Sequence, residues 1–269
     1  MAPLKVETAL DWFNRSQRRR AAAETPTDLS SGAWAFVRSG SSGLAHVDAA
    51  WRIPSVNTNL PVVNIDGSVG KTWTLISLAA RFVVATRPSR FSTSMEDLKQ
   101  STQELPQVVI LDSTYDITIH KVAQAVRSTM LRQSDINAFS LEDEMDDCLD
   151  RIHVATVDDM FGWVPVLECL RCKLKGQDTH PTLILWDGFL SESDNESCQM
   201  EVKRQVSRLL QDCSVAMVLT TSNAGKVNWS NTHRDIHRIK LERRSGKNCF
   251  AKVNGSTISF SLSFGGILS

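Results

Sequence analysis

From about residue 56 the chain alternates between short apolar runs and stretches with helical periodicity. The first run is 61–65. It passes through Asp66-Gly67-Ser68-Val69-Gly70 into a stretch with apolar residues at Leu75, Leu78, Ala79, Phe82 and Val83. That spacing predicts a helix to about Ala85, stopped by Pro88. The second run, Val108 to Leu111, ends at Asp112. A helix should follow, with Asp116 as its N-cap and Ile119, Val122, Ala123, Val126 and Met130 turned inward. Residues 140–150 are strongly acidic and read as a solvated loop or helix face. The third run, Ile152 to Val157, precedes a helix starting near Pro165, a residue tolerated in a first turn. The fourth run, Thr182 to Trp186, ends at Asp187. A helix over 196–212 should bury Met200, Val206, Leu209 and Leu210, and the fifth run is Val215 to Leu219.

Runs that are apolar throughout, spaced by helices, indicate a parallel sheet covered on both faces. After residue 236 the pattern changes to three β-like segments, 236–242, 248–253 and 257–264. Ser245-Gly246 and Asn254-Gly255 join them, and the second pair is a hairpin signal. The expected fold is therefore α/β: a mostly parallel sheet flanked by helices, with antiparallel strands at the C-terminal end. Residues 1–55 read as a loop-rich leader with one short helix around Leu10, Trp12 and Phe13, and 21–48 as mostly loop. Residues 56–269 form the main domain.

Composition narrows the class. The 269 residues are 42% hydrophobic and 22% charged, with a formal net charge of zero. A protein gripping nucleic acid over its whole surface would be basic, so only a local basic patch fits. Six cysteines lack a framework spacing, which suits a reducing compartment, cytosol or nucleus. Cys169 and Cys172 form an isolated C-x-x-C in an apolar helical stretch and read as buried thiols rather than a zinc pair. No apolar run approaches the length of a membrane span. Arg18-Arg19-Arg20 reads either as part of a nuclear import signal or as a solvated cluster.

Candidate chemistry concentrates at Asp66, Gly67, Ser68, Val69, Gly70, Lys71 and Thr72. A strand, a glycine loop ending Gly-Lys-Thr and a helix N-terminus are the parts of a phosphate-cradling P-loop. Loop N–H groups would face the phosphates of ATP, Lys71 would reach the β/γ oxygens and the Thr72 hydroxyl would ligate Mg²⁺. Ile65 occupies the position where that motif has its first glycine. Asp187, at the tip of the fourth run, is the matching acidic partner for the metal, or else the first residue of an ordinary turn. Asp112 and Asp116 are the candidates for orienting or deprotonating an attacking water.

These parts, in this order, resemble the RecA-type recombinase paralogue family, over roughly residues 56–267. Gly67 to Thr72 matches the Walker A loop, and Leu111-Asp112-Ser113-Thr114-Tyr115 the strand that carries the catalytic acid. His180-Pro181 followed by Thr182 to Asp187 matches Walker B, and Leu219-Thr220-Thr221-Ser222 a strand end rich in threonine. Trp229 and His237-Arg238 resemble the Trp and basic residues before the last strands. The resemblance implies a RecA-like P-loop NTPase core that binds ATP and Mg²⁺ through residues 66–72 and Asp187. Thr114 stands where active recombinases carry a catalytic glutamate, and Ser222 where they carry a γ-phosphate-sensing glutamine.

The resemblance therefore implies a nuclear accessory paralogue. It would work in a hetero-oligomer with other recombinase paralogues, on single-stranded or branched DNA, in homologous-recombination repair of double-strand breaks and stalled forks. The basic residues from Arg234 onward could meet phosphates, with Trp229, Arg234 and Arg238 as DNA candidates; Trp229 fits stacking or burial equally. Two other readings stay open: a DNA-stimulated ATPase using Asp112 or Asp116, and an interaction module independent of nucleotide.

Overall fold

A computed structural model describes residues 42, 44–51, 62–87, 106–132, 141–175, 182–190, 195–213, 215–221, 236–245, 248–263 and 266–268. The strands are β1 (Val62–Gly67), β2 (Gln107–Asp112), β3 (Ile152–Thr156), β4 (Thr182–Asp187), β5 (Val215–Thr220), β6 (Ile236–Ser245), β7 (Asn248–Val253), β8 (Ser256–Ser263) and β9 (Gly266–Leu268). The helices are α1 (Ala45–Trp51), α2 (Lys71–Ala85), α3 (Ile119–Met130), α4 (Leu141–Leu149), α5 (Trp163–Leu174) and α6 (Glu196–Asp212).

One nine-stranded sheet runs in the order β3-β2-β4-β5-β1-β6-β7-β8-β9. The pairings from β3 through β6 are parallel, and β6 through β9 pair antiparallel. The two faces of each parallel strand feed separate cores. Val63, Ile65, Ile110 and Val218 pack under α1 to α4. Val62, Leu111, Trp186 and Met217 pack under α5 and α6. This two-sided burial is why the strands read as unbroken apolar runs. Trp163, Trp186 and Phe189 form an aromatic cluster in the second core, tilted and edge-to-face, with neighbouring centroids 5.0 and 4.7 Å apart.

The expected runs become strands, and the Asn254-Gly255 turn joins β7 to β8 with both residues at positive φ. Several helix details differ. Residues 45–51, expected as loop in part, form α1, whose Leu44, Val47, Ala50 and Trp51 lie in the first core. The N-cap of α3 is Thr118, not Asp116; its side chain accepts the Lys121 N–H at 3.4 Å. The inward face of α3 carries Ala125 in place of Ala123. Met200 is 66% exposed, and Cys198 and Val202 fill the α6 face instead. The acidic segment is helix α4, with Cys148 inward. Cys169 and Cys172 are exposed, because Trp163, Leu167, Leu170 and Leu174 take the buried stripe of α5.

Pro88, the 223–235 segment with Trp229 and Arg234, and the Leu10 helix lie outside the described residues. Among the described residues no helix is long and apolar enough to cross a membrane. Buried Arg151 ties the fold together at the far end of α2. Its guanidinium donates to the Val83 carbonyl, to Thr86 Oγ1 (2.9 Å) and to the Pro106 carbonyl (3.4 Å).

Candidate functional site

The carboxyl ends of β1, β2, β4 and β5 meet along one edge of the sheet. β1 ends at Gly67, which has φ 128°, and a Cβ there would sit 2.0 Å from the Leu241 carbonyl oxygen. Only glycine lets β1 lie this close to β6. Residues 68–70 then turn the chain into α2. Gly70, at φ 78°, is the N-cap and supplies no side-chain cap. The first N–H groups of α2 therefore point out of the helix start with its positive dipole end. Asp66 accepts the Gly67 N–H at 2.6 Å. Ile65 is still a buried strand residue, paired with Thr220 and Ile239.

Lys71 and Thr72, the first two residues of α2, reach different neighbours. Lys71 Nζ donates to the Thr221 carbonyl at 2.9 Å. Thr72 Oγ1 donates to Asp187 Oδ2 at 2.6 Å. The amine and the carboxylate thus stand on the same edge, joined through adjacent residues of one helix turn. Asp187 is 2% exposed. Its Oδ1 accepts the Thr220 hydroxyl at 2.5 Å, and Thr114 Oγ1 lies 3.3 Å from its Oδ2.

Two threonines at the end of β5 link the two sides. The order β4-β5-β1 places them between Asp187 and the glycine loop. Thr221 donates its N–H to the Ile65 carbonyl (3.0 Å) and its hydroxyl to Asn64 Oδ1 (3.2 Å), while its carbonyl holds Lys71. Thr220 accepts the Gly188 N–H on its hydroxyl (2.9 Å) and the Phe189 N–H on its carbonyl (2.8 Å). Sequence reading missed this role. Its traces were a polar pair closing an apolar run and the resemblance of residues 219–222 to a strand end rich in threonine.

Asp112 enters the network differently from the sequence expectation. It is fully buried, and its Oδ1 accepts the Thr114 N–H at 2.9 Å, with the Thr114 hydroxyl at the same distance. Its Oδ2 accepts the Ile117 N–H at 2.9 Å. The carboxylate is thus spent organising the 113–117 turn, leaving neither oxygen open to a water. Asp116 is exposed; its N–H reaches Thr114 Oγ1 at 3.3 Å and its carbonyl accepts Lys121 Nζ. No hydrogen bond joins its carboxylate to the Asp187 cluster. Tyr115, at φ 59° and 54% exposed, donates its hydroxyl to Asp158 at 2.5 Å. That bond to a carboxylate raises the phenol pKa.

Arg238 is exposed on β6. Nearby, Glu242 pairs with both Lys240 (2.9 Å) and Lys252 (3.3 Å), which offsets part of the positive charge on this end of the sheet. No cluster of three or more metal-ligating side chains of the His/Cys/Asp/Glu type occurs among the described residues.

The donor set beside the glycine loop consists of one carboxylate and threonine hydroxyls. Such hard oxygen ligands suit Mg²⁺, which keeps several waters and shares its shell with phosphate. Thr72 and Asp187 fit that cation, and the uncapped α2 start with Lys71 fits a polyphosphate. Comparison with protein-family models yields no match. Comparison with characterised protein sequences yields none either.

Proposed function

We propose that this chain is an ATP-binding accessory protein with a RecA-like P-loop core, of the recombinase paralogue type. It works with other paralogues of that fold, in the nucleus, in homologous-recombination repair of double-strand breaks and stalled forks, contacting single-stranded or branched DNA directly or through its partners. The observation that carries the nucleotide reading is the 2.6 Å Thr72–Asp187 contact beside Lys71. Thr72 and Asp187 would hold Mg²⁺, which would supply charge neutralisation at the β- and γ-phosphates. Lys71 would exchange the Thr221 carbonyl for a phosphate oxygen, a charge-assisted and stronger bond.

Slow turnover follows from the same geometry. Asp112 is committed to its own turn and Thr114 presents a hydroxyl, so the site lacks an open carboxylate beside Asp187 among the described residues. Without a positioned base, hydrolysis should fall about 10²–10⁴-fold below that of an enzyme that has one.

Titration of a fluorescent ATP analogue tests the reading. Lys71→Ala should weaken Mg²⁺–nucleotide binding about 10- to 100-fold, since a hydrogen bond to a charged group contributes about 1.5–3 kcal/mol. Equal affinity of mutant and wild type would remove Lys71 from the site. A second reading, an interaction module independent of nucleotide, draws support from the closed network itself, in which Lys71 and Asp187 are already satisfied by protein groups. Partner capture unchanged by both ATP and Lys71→Ala would favour it.

A further inference from the structure

Asp187 has two oxygens and two kinds of neighbour. Oδ2 meets the hydroxyl of Thr72 on α2 and, at longer range, that of Thr114. Oδ1 meets only Thr220 among the contacts made by the described residues. The direction of that contact is determined. The Gly188 N–H can only donate, so Thr220 Oγ1 accepts it and sends its single proton to Asp187. The chain Gly188 N–H → Thr220 Oγ1–H → Asp187 Oδ1 closes a ring around the strand tip. It fixes which face of the carboxylate turns toward Thr72. Thr220 is buried.

We propose that Thr220 is a positioning residue for the cation: its hydroxyl holds Asp187 in the rotation that presents Oδ2 to the metal beside Thr72. This rests on the nucleotide reading above. Hydrogen-bonded groups behind a metal-binding carboxylate orient it, and their loss commonly costs 10–100-fold in metal affinity. A threonine whose role was only to close β5 would affect folding and nucleotide affinity alike. One that orients Asp187 affects the Mg²⁺-dependent part alone.

The test compares nucleotide affinity of the full chain in Mg²⁺ and in EDTA, with a fluorescent ATP analogue. Thr220→Val keeps the shape and removes the hydroxyl. The Mg²⁺ enhancement of affinity should shrink about tenfold or more, while affinity in EDTA stays at the wild-type value. Thr220→Ser should restore the wild-type enhancement. An undiminished enhancement in Thr220→Val overturns the inference, as does an equal loss in Mg²⁺ and EDTA. Should Thr220→Val not fold, a Thr220→Ser protein lacking the enhancement overturns it equally. A wild type that binds no nucleotide overturns the nucleotide reading and this inference together; a Mg²⁺-dependent wild type with an indifferent Thr220→Val overturns the inference alone.

Discussion

Two buried polar side chains in this protein are treated in opposite ways. Asp187, at the tip of β4, is surrounded by hydroxyls from three other segments and has every oxygen engaged. His46, in α1, is 0% exposed, stacks on Phe260 at 5.0 Å, and has no hydrogen-bond partner on either ring nitrogen among the described residues. At the first site hydroxyl groups meet both carboxyl oxygens. The second favours the neutral ring. Burial, reinforced by the nearby Arg81 charge, lowers the His46 pKa to about 4. At the first site hydrogen bonds offset desolvation; the second, where nothing offsets it, is a weak point of the fold.

The largest effect that would sharpen this contrast is acid sensitivity. His46 is neutral in the fold and takes up a proton near pH 6.5 once unfolded. Its depressed folded pKa means that full stability is present above pH 6.5 and is lost as pH falls towards 4. At pH 4.5 the loss should be about 2.5 kcal/mol relative to pH 7. Urea melts of wild type and His46→Phe at both values measure it. The mutant should lose that part of the pH slope; an unchanged slope would mean that His46 is not the group responsible.

Asp187→Asn gives the next largest effect and should behave differently. An amide replaces one carboxylate oxygen by an NH₂ donor, so one of the threonine hydroxyls must reverse its hydrogen bond or lose it. The cost should be about 2 kcal/mol at pH 7. Thermal unfolding measures this. A mutant as stable as wild type would mean that the hydroxyl ring contributes nothing to the fold, and the contrast with His46 would fail.

The same two sites show what was legible in the sequence. Strands β1, β2, β4 and β5 were readable because their residues are apolar on both faces. That Lys71, Thr72 and Asp187 lie at one end of the sheet was readable because Asp187 closes such a run and the other two follow one across a short glycine loop. Helix α1 was hidden: His46 and Asp48, both buried, interrupt its apolar pattern. Asp48 accepts the Ser42 N–H at 2.7 Å, a local bond that composition does not reveal. Asp112 looked like an available acid because nothing in its neighbours shows that the chain folds back to occupy both oxygens. Thr220 and Thr221 were invisible as a bridge, since their place depends on β5 lying between β4 and β1, and strand order is not written in local periodicity. Met200 and the α5 cysteines were misassigned for a simpler reason. Each lies just off a buried stripe that other residues fill more completely.

The most direct test of the central claim is a crystal structure with Mg²⁺ and a non-hydrolysable ATP analogue. The account predicts a triphosphate along residues 67–72, Lys71 Nζ moved from the Thr221 carbonyl to a phosphate oxygen, and a cation between Thr72 and the Asp187 carboxylate. A glycine loop left vacant at saturating ligand, with Lys71 still bound to Thr221, would contradict it.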